Sequence, residues 1–253
     1  MNARTLTVFA SSAALLFVAA TSCTDTTVQP VSTVTSANIF NDPTSYQKFL
    51  AKLYAGLAVG GETSGDGNTD IQGIDGGFSQ YLRLYWEMEE LPTDEAVLAW
   101  GDIGIPDMNK QTWNAQNVFP QSMYYRVFFQ AALANEFIRQ TTDEQLAAHG
   151  ITGALKTTIS QYRAEARFLR ALSYWHGIDL FGDIPLVTEA DAVGGAAPAQ
   201  STRATIYAYI VKELTEIQPL LPAPSASTYG RATGLATTLL EDICRKATCR
   251  VGL

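Results

Sequence analysis

Apolar residues along this chain recur mostly at three- and four-residue steps, the spacing that lines one face of an α-helix, and strand-like alternation is scarce. The first stripe is Tyr46, Phe49, Leu50, Leu53, Tyr54 and Leu57, entered through Asn41 or Asp42 as cap with Pro43 in the first turn. Gly60-Gly61 and the run from Ser64 to Asn68 end it in a loop. A second helix is predicted over Phe78 to Glu89, broken at Pro92, with Thr93 placed to cap a further helix. Residues 101–117 carry no period. Helix resumes near Gln121, with Tyr124, Val127 or Phe128, Ala131, Asn135 and Ile138 on one side, and ends before Thr141; a short helix fits Asp143 to His149.

The longest pattern comes next. Tyr162, Ala166, Leu169, Ser173, His176 and Leu180 share one helical face, while Arg163, Arg167 and Arg170 fall off it. Gly182 and Pro185 stop this helix and lead into the extended run Leu186-Val187. After a Gly/Ala-rich loop from Ala190 to Gln200, a last helix starts at Ser201 or Thr202. It buries Ile206, Tyr209, Ile210, Leu214 and Ile217, and Pro219 and Pro222 close it. Helices of this length joined as antiparallel pairs predict an all-α solenoid or bundle, although no strict repeat period is visible.

Composition adds limits. A chain of 253 residues, 47% hydrophobic and 17% charged, has enough apolar material for a substantial core in one large domain or two small ones. A formal charge of -8 without clustered Lys or Arg argues against a nucleic-acid partner. At the N-terminus, Arg4 precedes an apolar run from Leu6 to Ala20, and Ala20-Thr21-Ser22 stands before Cys23. A run of roughly 15 residues is short for a bilayer core of about 30 Å and has the layout of a secretory signal. Small residues before a cysteine resemble a lipobox, so residues 1–22 are expected to be removed and Cys23 to carry lipid, anchoring the protein to a membrane. The alternative is an ordinary signal peptide with a chance cysteine. Residues 23–38, rich in Thr, Ser and Val, read as a tether. Cys244 and Cys249 form an isolated pair with no nearby histidine, which disfavours a zinc site, and no metal or cofactor is expected. His149 falls at a helix end and His176 on an apolar face, where a core histidine is the better reading.

The segment from Tyr162 to Val187 resembles the signature helix and exit loop of the SusD/RagB family of outer-membrane nutrient-binding lipoproteins. Further blocks match that family in order: Ile74 to Arg83, Glu90-Leu91-Pro92-Thr93-Asp94-Glu95-Ala96-Val97, Tyr124 to Phe129, and Ala134 to Ile138. Together they look like the N-terminal half of the starch-binding branch. The resemblance implies an all-α fold of tetratricopeptide-like helical hairpins and a platform for glycans such as starch oligosaccharides. It also implies a SusC-like TonB-dependent transporter as partner, and a lipid-anchored position on the outer membrane facing the exterior.

Sugar rings present apolar C–H faces that stack on aromatic rings, and rim hydroxyls that need planar polar partners. The positions matching the family's sugar contacts are Asp75, Arg83 and Trp100, with Asp102 close behind. Each has a structural alternative: Trp100 as core, Arg83 paired with Glu87 one turn on, and Asp75 serving its Gly-rich turn. The acidic run Glu87, Glu89, Glu90, Asp94 and Glu95 invites a glycosidase reading, which needs carboxylates roughly 5 to 9 Å apart. A solvated or capping role fits it better, and no nucleophile elbow, P-loop or dinucleotide fingerprint is present, so no enzyme is expected.

Family members usually run to about twice this length. Here Tyr229-Gly230-Arg231-Ala232-Thr233 still resembles them, but the resemblance fades across Gly234 to Leu253. Residues 39–233 are therefore expected to form the N-terminal part of a SusD-like domain, truncated, and residues 234–253 an atypical tail produced by a frameshift or an incomplete gene model. A truncated solenoid leaves an apolar face uncovered and is expected to fold poorly alone. The rival readings are a helical-hairpin interaction protein binding another nutrient, such as peptide, and a non-functional product.

Overall fold

Two helices, α1 (Ser36–Ile39) and α2 (Thr44–Ala55), open the part of the chain that this computed structural model describes, namely residues 36–61, 69–196 and 198–221. The signal and lipidation site at Cys23, most of the tether, the loop from Ser64 to Asn68, and the tail with Cys244 and Cys249 lie outside the described residues. The tether segment differs from expectation at its end, where α1 is already helical. Asp42 does the capping of α2: its Oδ1 accepts from the Thr44 backbone N–H at 2.9 Å and its Oδ2 from the Thr44 hydroxyl at 2.7 Å. This satisfies an amide that the helix itself leaves without a partner.

The remaining elements are α3 (Tyr81–Glu90), α4 (Ile105–Asn109), α5 (Val118–Gln140), α6 (Asp143–Ala148), α7 (Gly153–Leu180), β1 (Ile184–Pro185), β2 (Gln200–Ser201) and α8 (Arg203–Ile217). Side-chain caps fix three of the helix starts. Asn117 Oδ1 accepts from Phe119 N–H at 3.1 Å, Thr142 Oγ1 from Gln145 N–H at 3.3 Å, and Thr202 Oγ1 from Thr205 N–H at 3.2 Å. α3 starts later than its pattern predicts, because Gln80 stays extended and its side-chain amide donates to Gly76 O at 3.0 Å. No helix starts at Thr93. Its hydroxyl donates to Glu90 O at 2.6 Å and accepts from Glu95 N–H at 3.1 Å, closing the end of α3 in a turn.

The core has two parts. The larger joins α2, α5, α7 and α8 through residues such as Leu53, Phe137, Ile159, Leu169, Ile210 and Leu214. The smaller lies under α3, α4 and the start of α5, and is built from Tyr81, Leu84, Leu91, Ile105, Met108, Phe119, Met123 and Val127. α7 is central, packed along both α5 and α8. Its predicted stripe is buried apart from half-buried Leu180, and His176 is the core histidine expected, with Nδ1 3.0 Å from the Tyr81 hydroxyl and the Tyr85 ring stacked 4.0 Å away.

One arginine departs from the single-face picture. Arg170 is only 1% exposed. A helix flanked by neighbours on two sides must bury more than one stripe, and charged groups enter such a space as matched sets. Arg170 donates to Glu213 at 2.8 Å, to Asn135 at 2.6 Å and to Glu189, while Arg167 forks onto Glu213 at 3.0 and 2.8 Å and reaches Glu216 at 2.6 Å. Beyond Gly182, at φ +76°, β1 pairs antiparallel with β2, Ile184 opposite Ser201. The Leu186-Val187 run is held by Tyr174, whose hydroxyl donates to Val187 O at 2.5 Å and accepts from Val187 N–H at 2.9 Å. Among the described residues, no helix is long and apolar enough to cross a membrane.

Candidate functional site

The site grows from a loop that one buried arginine holds in place. Arg126, on α5 and 1% exposed, donates through Nε to Ser79 O at 2.5 Å, through Nη2 to Gly60 O at 3.1 Å, and through Nη1 to Asp70 Oδ1 at 2.5 Å. A planar fork with several donors suits this task, since it fixes the carbonyls of Gly60 and Ser79 at once. The loop so held carries Asp75 to the start of α3.

Within it, Gly77 joins two of the residues singled out by sequence. Its N–H donates to Asp75 Oδ1 at 2.6 Å and its carbonyl accepts from Arg83 Nη1 at 2.9 Å. Arg83 Nε donates to Glu87 Oε1 at 2.9 Å, one turn along α3. The Arg83 guanidinium also lies 4.9 Å from the centre of the Trp100 ring, a cation–π distance. Asp75, Arg83 and Trp100 thus share one patch. Trp100 is 55% exposed and is not core. The alternatives for the other two are real contacts: Arg83 pairs with Glu87, and Asp75 closes its own turn. These contacts orient both side chains. Two guanidinium N–H groups are used in the bonds to Gly77 and Glu87, and the rest remain for other acceptors.

Glu87 is the buried member of the patch, at 1% exposure. Burial pushes its carboxyl above the ordinary value, Arg83 pulls the other way, and the negative charge of Asp102 adds to the rise. Its Oε2 has no hydrogen-bond partner.

One concavity adjoins the patch through Asp75 and a second meets the first at Gln121. Asp75, Gly101, Asp102 and Ile103 line a depression of about 550 Å³ with Val118, Gln121 and Ser122 at the start of α5. Gln121 also borders a groove of about 530 Å³ walled by Trp113, Tyr124, Tyr125 and Phe181, with Asn114 at its edge. Aromatic faces beside amides and carboxylates provide the two kinds of surface that a sugar ring requires. Sequence reasoning named Asp75, Arg83, Trp100 and Asp102 but missed the roles of Arg126 and Gly77 and the Trp113 groove. The Arg83/Glu87 spacing was a readable signal for the ion pair. Nothing local marks Arg126, which sits between Tyr125 and Val127 in the chain.

Known proteins share this fold. A SusD-like family, described as starch-binding and associating with the outer membrane, matches residues 85–238, a stretch that includes Trp100 and runs past Thr233. Over 230 residues the chain is 33% identical to the starch-binding protein SusD of Bacteroides thetaiotaomicron, covering 90% of this chain and 38% of that protein. The chain therefore spans less than half the length of this relative. Among solved structures, a SusD homologue from Bacteroides thetaiotaomicron superposes with TM-score 0.62 at 20% identity, covering 82% of this chain and 37% of that one. A laminarin-binding SusD-like protein superposes with TM-score 0.60 at 20% identity, covering 79% and 39%. A SusD-like protein from Bacteroides fragilis gives 0.60 at 17%, covering 85% and 37%. At these identities the superpositions establish a shared fold.

Proposed function

The chain belongs to the SusD-like family, and on that premise we propose that it is a glycan-binding module whose platform is Trp100 with Arg83 and Asp75. The observation that carries this reading is the convergence of the three residues through Gly77 and the Arg83–Trp100 stack, with Trp100 half exposed. An indole held over a guanidinium offers its free face to the C–H side of a pyranose, while Arg83 and the carboxylates of Asp75 and Asp102 take rim hydroxyls. Identity with a starch-binding protein favours an α-glucan as ligand.

The wider reading draws on the family. Residues 1–22 serve as export signal, lipidated Cys23 and the tether as outer-membrane anchor on the exterior face, residues 39–233 as part of a SusD-like domain, and residues 234–253 as an atypical tail, of which the family match takes in only the first five residues. Captured oligosaccharide passes to a SusC-like TonB-dependent transporter. The chain binds without turnover: Glu87, the buried carboxylate of the acidic run, is committed to Arg83.

Affinity electrophoresis of the mature chain in gels containing amylopectin, laminarin or no polysaccharide tests this reading. Retardation by amylopectin is expected, and Trp100→Ala is expected to abolish it while leaving mobility in the plain gel unchanged. Equal migration in all three gels would overturn the reading, and release of reducing sugar from amylopectin would overturn the assignment as a non-enzyme.

A further inference from the structure

Trp100 lies in a stretch without helix or strand, from Leu91 to Gly104, and among the described residues the cation against its ring is Arg83. That cation, Arg83, is itself held from below by Glu87 through the 2.9 Å bond from Nε to Oε1. Glu87 is 1% exposed and its second oxygen has no hydrogen-bond partner. A buried carboxylate with an unsatisfied oxygen is costly to keep charged, and what offsets the cost here is one guanidinium. The charge on Glu87 and the position of Arg83 are therefore linked.

We propose that Glu87 is a positioning residue for the glycan platform: its carboxylate fixes the Arg83 guanidinium beneath the Trp100 indole, and its protonation frees Arg83, so that glycan is held near neutral pH and released in mild acid. The charged groups acting on Glu87 are Arg83 from its own helix and Asp102 from the loop beyond Trp100. Asp102 repels the ionised form and burial disfavours it, so the proton arrives at higher pH than at a solvated glutamate. Once neutral, Glu87 loses the charge that attracts the guanidinium, and Arg83, partly exposed and then held chiefly by the Gly77 carbonyl at 2.9 Å, shifts toward water. The indole then loses the support on its inner face. This inference rests on the glycan reading of Trp100 and Arg83, but the clamp can be observed without any glycan.

The test labels the full chain with 5-fluorotryptophan and tracks the ¹⁹F resonance of Trp100, assigned by its loss in Trp100→Phe, from about pH 7.5 to about pH 4. The resonance is expected to titrate with a midpoint above that of a solvated glutamate, and to stay still in Glu87→Gln. In parallel, the affinity of the wild type for maltoheptaose is expected to weaken about tenfold over the same range, while that of Glu87→Gln stays level. A Trp100 resonance that does not titrate, or that titrates equally in Glu87→Gln, overturns the proposal. A titrating resonance with unchanged maltoheptaose affinity overturns the link to release. A titrating resonance with no maltoheptaose binding at either pH upholds the clamp and overturns the glycan reading instead. Should Glu87→Gln not fold, Arg83→Lys takes its place, with the Trp100 resonance expected at its acid position already at neutral pH; a resonance still at the wild-type neutral position would overturn the clamp.

Discussion

Glu213 and Glu87 are both buried acids paired with arginine, yet the fold treats them in opposite ways. Burial pushes Glu213 up, but hydrogen bonds and charge from Arg167 and Arg170 outweigh it and hold the carboxyl below its ordinary value of 4.5. A lowered pKa means that the ionised form stabilises the fold above the unfolded value, and that this stability is lost as pH falls through the depressed folded value. Glu87 is raised instead, so its contribution is present at low pH and declines as pH climbs through its raised value. Acid therefore reaches the Trp100 platform before it reaches the α7–α8 network. Glu213→Gln leaves Arg170 buried with only the charge of Glu189, and is expected to cost about 3 kcal/mol in thermal or urea unfolding at neutral pH. That gap should hold down to about pH 5 and narrow only below it. A variant as stable as the wild type at neutral pH would show that Arg170 and Arg167 do not depend on Glu213. Sequence spacing foresaw the Arg83/Glu87 pair, because both lie one turn apart on one helix. It placed Arg170 off the buried stripe, because the partner that buries it, α8, lies dozens of residues away and leaves no mark on local periodicity.

At the scale of elements, the long helices are legible from stripes and stop signals: α2, α5, α7 and α8 each carry an apolar face, and α2, α7 and α8 leave through a Gly or Pro, whereas α5 ends at Thr141 without one. α4 is not legible. It is a single turn, too short to show a period, and it begins only because Gly104 takes φ +101°. The Gly104 carbonyl accepts from the Asn117 side-chain amide at 3.1 Å, so this turn and the cap of α5 are tied together next to the Trp100 loop. A Cβ at Gly104 would meet Asn117 Nδ2 at 2.9 Å as well as adopting a left-handed backbone. Gly104→Ala is accordingly expected to lower stability by about 1–2 kcal/mol, read as a fall in melting temperature. An unchanged or higher melting temperature would mean that the Gly104–Asn117 junction relaxes freely. The aromatic groove beside Gln121 was hidden for a related reason. Trp113 lies in an aperiodic loop, whereas Tyr124, Tyr125 and Phe181 lie in or at the ends of helices, and only the fold brings them together.

For the whole molecule, periodicity and charge describe no more than an acidic helical protein. The order of the matched blocks, from Ile74 through Val187, carried the fold, because it records the succession of helices. The chain covers 38% of its starch-binding relative, and the proposed glycan site lies within the part that is matched. Its central claim is that Trp100, resting on Arg83, is where a glycan binds. Isothermal titration of maltoheptaose into the wild type and Trp100→Ala, each first matched for helix content by circular dichroism, tests that claim most directly. Loss of one aromatic stack should weaken binding by about tenfold or more, equivalent to about 1.4 kcal/mol. Equal affinity in the two proteins would place the ligand elsewhere and contradict the account.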